Sequence, residues 1–370
     1  MNNTLITFFP LGNADTTLIQ LASGQNILFD FADMKCNDDS ADMRCELSDE
    51  INRRVPEDFL DVVCFSHADE DHIKRFSEYF YLEHAGLYQT TGRKKINELW
   101  VPAAVLLETG VTDDQRILRS EARYRLKQKK GIKVFSRPKK LREWCDGQDD
   151  ISYHEICHLI VDAGETIPEF SLDVNGIEIF VHSPFLSESQ GINRNNEAIV
   201  IHATFNDACQ TKLILGSDIN SDTWSDIVEV TRYFENDKRL NWDLFHISHH
   251  CSYTALSNDK GINKVEPNDE VKWLFETQGN DKCRIVSPSW TIDSADTIQP
   301  PHFQAANYYK EITNSKRGEF FVTMDYPKQG EPKPLTFEID RNRCMSLKVG
   351  EQVNTEFVYI KKAERAGYND

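Results

Sequence analysis

Residues 60–65, LDVVCF, form a nearly unbroken apolar run, and the next seven residues read SHADEDH. A run this short and apolar has the signature of a strand covered on both faces. Placing it directly before two histidines and three acids commits the chain to burying the strand and holding a polar loop at its end. Four residues able to ligate a metal, His67, Asp69, Asp71 and His72, then fall within six positions. A divalent cation wants several N or O donors, and a strand-end loop lets side chains converge on one point. Imidazole suits zinc, iron or manganese, and carboxylates harden a site toward manganese or magnesium. The plain alternative is a solvated acidic loop with incidental histidines, and the density of donors favours the metal site.

Further donors come from elsewhere in the chain. Asp218 ends the apolar run 213–217, LILGS. That position suits a carboxylate bridging two metals, and equally a turn or helix-cap aspartate. His249 and His250 follow the strand-like run 244–247, LFHI. A buried imidazole must find partners, so an adjacent pair reads as ligands or proton donors as readily as structural histidines. His302 opens a helix-like segment after Pro300-Pro301 and is a weaker candidate, and His182 is weaker still. His84, His154, His158, His202 and His246 lack such context and read as structural.

Around these motifs, apolar runs at 5–9, 17–20 and 27–30 read as strands separated by turns. Residues 73–84 carry apolar residues at helical spacing, and a charged helix is expected to start at Thr112 and run to about 130. Strands dominate again from 170, with helices near 222–234 and 303–312. The pattern predicts one α/β domain over 1–370, with a mixed, largely antiparallel sheet content. A variable, helical and basic region covers about 103–145, and a C-terminal extension covers about 326–370.

Composition narrows the class. Hydrophobic residues make up 39% and charged residues 28% of the 370, which excludes a disordered chain. No apolar stretch is long enough to span a bilayer, and the first residues lack the basic start of a secretory signal, so no membrane association is expected. The nine cysteines are scattered, odd in number and without a C-x-x-C pair. That argues against a disulfide framework and for a reducing, cytoplasmic setting.

Four segments, in order, resemble the metallo-β-lactamase superfamily, and within it the soluble metallo-β-lactamase domain of the competence protein ComEC. FFPLGNADTTLIQLASGQNILFDFAD is similar to that group's opening strands, and SHADEDH to its S-H-x-D-x-D-H motif. NNEAIVIHATF followed by LILGSDI is similar to its strand pair ending in a bridging aspartate, and DLFHISHHCS to its strand before H-H-G-S. The resemblance implies an α/β fold, the αββα four-layer metallo-β-lactamase sandwich, with two divalent ions, Zn or Mn, at one sheet edge. It assigns His67 and Asp69 to the first ion, Asp71 and His72 to the second, and Asp218 to the bridge. It leaves His302 or His249 to complete the second site. Asp71, His249 and His250 become the catalytic candidates, with one of the two histidines protonating the leaving group. The chain departs from the pattern in two places. Ile73-Lys74-Arg75-Phe76 stands where the group has a glycine pair, and Cys251 stands where it has glycine. The membrane channel of ComEC is absent, so only the hydrolytic chemistry is implied.

The net charge of −18 would repel a polyanion, but it is unevenly spread. Residues 116–142 hold 12 Lys or Arg against one acid, Glu121. Arg116, Arg119, Arg123, Lys127 and Lys130 recur at spacings of three or four, which puts them on one helix face. Such a stripe is the footprint of a phosphate-backbone groove, or else a solvated face that docks an acidic protein. The expected activity is therefore a metal-dependent phosphodiesterase, first of all a nuclease, with nucleic acid or a nucleotide as substrate. The competing readings are a hydrolase of a small ester, lactone or cyclic nucleotide, and a partner-binding subunit of a multi-protein system such as a defence system.

Overall fold

The computed structural model describes residues 3–136, 138–185 and 193–348. The first eight strands lie in one sheet: β1 (Thr4–Phe8), β2 (Thr17–Gln20), β3 (Asn26–Phe29), β4 (Phe59–Cys64), β5 (Phe80–Tyr81), β6 (Lys94–Pro102), β7 (Ile132–Phe135) and β8 (Ile160–Val161). The next six form a second sheet: β9 (Ile177–Ser183), β10 (Val200–Phe205), β11 (Lys212–Leu215), β12 (Trp242–His246), β13 (Gly279–Ser287) and β14 (Glu319–Val322). The chain then returns to the first sheet with β15 (Leu335–Ile339), which pairs with β1, and β16 (Ser346–Leu347). The segment read as an extension thus supplies the first sheet's outer strands, and its residues 349–370 lie outside the described residues.

Strand side chains alternate between two environments, as a period of two requires. Ile27, Phe29, Val62 and Cys64 of the first sheet meet Leu213, Leu215, Leu244 and Val286 of the second in a shared core. Leu28 and Val63 face the other way, into a core with Leu47, Ile51, Leu118, Ala122 and Leu126 from helices Leu47–Arg54 and Asp113–Gln128. On the far side, Ile214, Phe245 and Ile285 pack with Trp224, Leu274 and Tyr309 from helices Ser221–Tyr233, Asp269–Glu276 and Phe303–Ser315. Three cores between four layers make the fold the αββα sandwich that the resemblance implies. Five residues of the apolar run LDVVCF, 60–64, lie in β4, with side chains in the cores on both of its faces, and Phe65 follows the strand, buried.

Two expectations are corrected. Parallel pairings outnumber antiparallel ones among the described strands, because β3, β4, β6, β7 and β8 run parallel, as do β11 to β14. Helical crossovers, which parallel neighbours require, stand between β3 and β4 and between β11 and β12. The expected helix over 73–84 is instead two single turns, Glu70–Ile73 and Phe76–Tyr79, followed by β5. Arg75 between them is left-handed (φ 58°), which stops the first turn. A disulfide joins Cys209 to Cys344, which sequence reasoning did not anticipate, while seven described cysteines stay free.

Candidate metal centre

The topology explains why distant motifs meet. In the parallel strands β3, β4, β11 and β12, the carboxyl ends share a rim, the usual place for a site in α/β sheets. Asp30 follows β3, the SHADEDH loop follows β4, Asp218 follows β11, and His249-His250 follow β12. Because β2 runs antiparallel to β3, Asp15, just before β2, comes to the same rim. The sheets are tied there: Ile199 N–H donates to Ser66 O (2.9 Å), and Ser217 Oγ donates to Ser66 Oγ (2.8 Å).

The turns that present these residues are strained. Asp30, Ser217, His249, His250 and Cys251 all have φ between 46° and 67°. Left-handed backbone costs a non-glycine residue about 1–2 kcal/mol, and such residues cluster where a site dictates the backbone. The Cys251 position therefore does demand the conformation for which a glycine is suited. Gly216, beside Asp218, cannot be replaced freely. A Cβ there would lie 2.6 Å from Ser248 Oγ and 3.0 Å from His246 O.

One oxygen or nitrogen from each of Asp71, His72, Asp218 and His250 lies within 4.8 Å of the others. His72 Nε2 is 3.3 Å from Asp218 Oδ1, and His250 Nε2 is 3.0 Å from Asp71 Oδ2 and 3.7 Å from Asp218 Oδ2. Both rings are fixed from behind. His72 Nδ1 donates to Asp30 Oδ2 (2.8 Å), and His250 Nδ1 donates to Pro288 O (3.0 Å). Asp30 is itself held by Ser66, whose backbone N–H and hydroxyl each donate at 2.7 Å. These bonds set the tautomers so that each Nε2 turns a lone pair toward carboxylates.

That arrangement fits a divalent cation. His72 Nε2, His67 Nε2 and Asp218 Oδ1 are buried and lack a hydrogen-bond partner. Lone pairs facing carboxylates in a buried site need a positive charge between them. Without one, the histidines must supply it. Burial opposes charge on His72 and His250, yet the facing carboxylates push both pKa values well above the usual histidine range. Burial likewise raises Asp218 and Asp71, but the surrounding histidines win, holding Asp71 at about 2 and Asp218 far below its ordinary value. Burial dominates at His67, whose pKa is lowered.

The other donors behave differently. His67 Nε2 faces Asp69 Oδ2 at 3.6 Å, but Asp69 Oδ1 accepts a 2.7 Å bond from Arg194 Nη1. His302 does not join the cluster. Its Nδ1 accepts from Tyr253 N–H (3.3 Å), its Nε2 lies 3.3 Å from Ile298 O, and it begins the helix Phe303–Ser315. His249 is half-buried, with its ring 6.2 Å from that of His250. The fourth donor of the group is thus His250, one of the pair whose residue types alone suit ligands and proton donors alike, and not His249 or His302, which the resemblance put forward for the second ion.

Sequence reading also passed over Asp15, Asp30 and Arg194. Asp30 bears the signal that singled out Asp218, an acid ending an apolar run. Asp15 is buried 3.5 Å from His250 Nδ1 and 3.8 Å from His246 Nδ1. Arg194 sits in a polar stretch with no pattern to single it out.

The basic stripe is largely spent inside the molecule. Arg119 Nη1 donates to Glu108 O (2.8 Å), and Arg123 donates twice to Leu106 O (2.5 and 2.9 Å). These bonds cap the end of the helix Ala103–Leu107. Lys127 pairs with Asp150 (2.9 Å). Arg125 is buried against Glu121, Ile96 O and Gly131 O. Arg116 and Lys130 remain exposed, and Lys130 lies past the helix end at Gln128 rather than on its face.

No family model and no curated protein matches the chain. Among solved structures it is similar to a crystal structure described as a new diphosphatase from the PhnP family. The overlap covers 93% of this chain and all of the other, at 11% identity and a TM-score of 0.34. What the site can do follows from its own side chains. Among the described residues no helix is long and apolar enough to cross a membrane.

Proposed function

We propose that this chain is a metal-dependent hydrolase of the metallo-β-lactamase superfamily, nearest the ComEC-type soluble domain, acting on a phosphodiester in the cytoplasm. The observation that carries this reading is the convergence of Asp71, His72, Asp218 and His250, with buried donor atoms left unpartnered, at a rim shared by two sheets. Asp71, His72, Asp218 and His250 would hold a divalent ion, Zn or Mn, whose chemistry there would be Lewis acidity toward water and toward transition-state charge. The chain's own groups do the rest. Asp30 and the Pro288 carbonyl hold the two imidazoles in the tautomer that faces the centre. Asp71, about a third exposed, is the donor of the group most open to solvent, and its carboxylate is proposed to orient the attacking water by accepting a hydrogen bond from it. His249 is the group proposed to protonate the leaving oxygen.

Nucleic acid remains the substrate proposed from the sequence, with His67 and Asp69 as a second ion site and Arg116 and Lys130 as free phosphate contacts. One observation favours a smaller phosphodiester, such as a cyclic nucleotide: Arg119, Arg123 and Lys127 are engaged within the molecule. The test is a panel with Zn or Mn on single- and double-stranded DNA, RNA, cyclic nucleotides, a chromogenic phosphodiester and lactones. Turnover of phosphodiesters that stops with chelation is expected. Turnover of lactones alone would overturn the phosphodiester assignment.

A further inference from the structure

The two halves of the centre differ in a way the ligand motif does not foresee. Asp71, His72, Asp218 and His250 draw their donor atoms together. His67 and Asp69 face each other too, but a guanidinium already serves Asp69. Arg194 Nη1 lies 2.7 Å from Asp69 Oδ1. Its other edge is gripped by Glu108: Nε lies 2.8 and 3.0 Å from the two carboxylate oxygens, and Nη2 lies 2.7 Å from one of them. Gln115 Oε1 adds a contact to Nη2 at 3.2 Å.

This is a forked, charge-assisted clamp, the strongest class of side-chain hydrogen bond. A guanidinium carries donors only and stays charged at any pH a protein tolerates. It takes up Asp69 Oδ1 and leaves Oδ2 toward His67, and its charge repels a cation brought between Asp69 and His67. Glu108 keeps it from drifting into solvent. The arrangement is a fixed positive charge standing where a second ion would otherwise balance Asp69.

Building on the metal-centre reading above, we infer that Arg194 is the resident counter-cation of the Asp69 half. The chain holds one divalent ion tightly at Asp71, His72, Asp218 and His250. It admits a second at His67 and Asp69 more weakly, against the charge of the guanidinium. Glu108, by holding the guanidinium in place, sets how costly that is.

The test is a titration of the metal-free full chain with Zn or Mn, following bound ions by calorimetry and by elemental analysis after gel filtration. One ion should survive gel filtration, with a second step weaker by about tenfold or more. Arg194→Gln should bring the two steps within about threefold and leave two ions bound after gel filtration. Glu108→Gln, which loosens the clamp but keeps the arginine, should fall between. If Arg194→Gln does not fold, as thermal unfolding would reveal, the Glu108→Gln titration reads the same quantity. Two equal steps in the unaltered chain, or a gap that neither variant narrows, overturn the role of Arg194. Uptake of no ion at all overturns the metal centre itself, so the two failures are distinguishable.

Discussion

The loop after β4 and the helix Asp113–Gln128 carry comparable densities of charge, yet the fold uses them in opposite ways. Two of the loop's groups, Asp71 and His72, turn toward donors that follow three other strands, Asp30, Asp218 and His250, while Asp69 meets Arg194 and Glu70 stays at the surface. The helix's charged groups turn mostly toward the body of the molecule, to cap a neighbouring helix and pair with acids. A donor cluster at a strand end is constrained by topology, because parallel neighbours bring their carboxyl ends to one rim. Periodic charges on a helix prove only that they share a face, and arginine is long enough to bury its stem and still reach a carbonyl.

The sharpest break in this comparison is Asp71→Ala. If the loop is the working centre, hydrolysis of a phosphodiester should fall by about 10⁴-fold, as when one member of a catalytic unit is removed. The melting temperature should change little, since Asp71 is partly exposed. Unchanged turnover would place the chemistry elsewhere.

Next in size is the buried pair on the helix. Glu121 and Arg125 are almost wholly buried, 2.7 Å apart. Removing one partner of such a pair typically costs about 3–5 kcal/mol, so Glu121→Ala should lower stability by that order without touching metal binding. The pH dependence has a definite sign. Burial alone would raise the Glu121 pKa, but the His84 and Arg125 contacts hold it at about 2. Its contribution is complete above the unfolded-state value, near 4.3, and is lost as pH falls toward about 2. Denaturant midpoints measured from pH 6 to 2 should show this slope, and Glu121→Gln should flatten it.

Asp30→Asn probes the support behind the loop. Asp30 accepts from His72 Nδ1 and twice from Ser66. Loss of an outer partner of a ligating histidine generally costs 10- to 100-fold in metal affinity (order of magnitude). A competition titration against a chelator measures it. An affinity unchanged within a factor of two would mean that His72 needs no such orientation.

How much of this was legible in the sequence follows the same division. The strand β4 and the SHADEDH cluster could be read, because apolar runs and donor density are local signals, whereas the four layers followed only from the resemblance of four ordered segments and not from the strand pattern. The group's fourth donor could not be settled, because His249, His250 and His302 have similar local chemistry. Only the left-handed turn at 249–251 decides which ring reaches Asp71 and Asp218. The break at Arg75 was hidden for a similar reason, since the spacing of Phe76 and Phe80 still looks helical. Arg194 left no trace, because its meaning lies in partners 86 and 125 residues away.

The smallest expected effect concerns what remains of the stripe. Arg123 gives two bonds to Leu106 O and stacks over Trp144 at 5.5 Å. Replacing Arg123 by Gln should therefore cost about 1 kcal/mol of stability, through loss of a helix cap. Arg116 and Lys130 are exposed, and their replacement by Glu should leave stability unchanged. If nucleic acid is the substrate, that double change should weaken binding and lower the slope of log affinity against log salt by about 1–2. Fluorescence anisotropy with a labelled oligonucleotide between 50 and 200 mM salt (about that range) separates the cases. A slope unmoved by Arg116→Glu and Lys130→Glu would remove this helix from any phosphate groove. The metal centre would then be left with a substrate small enough to be held by its own rim.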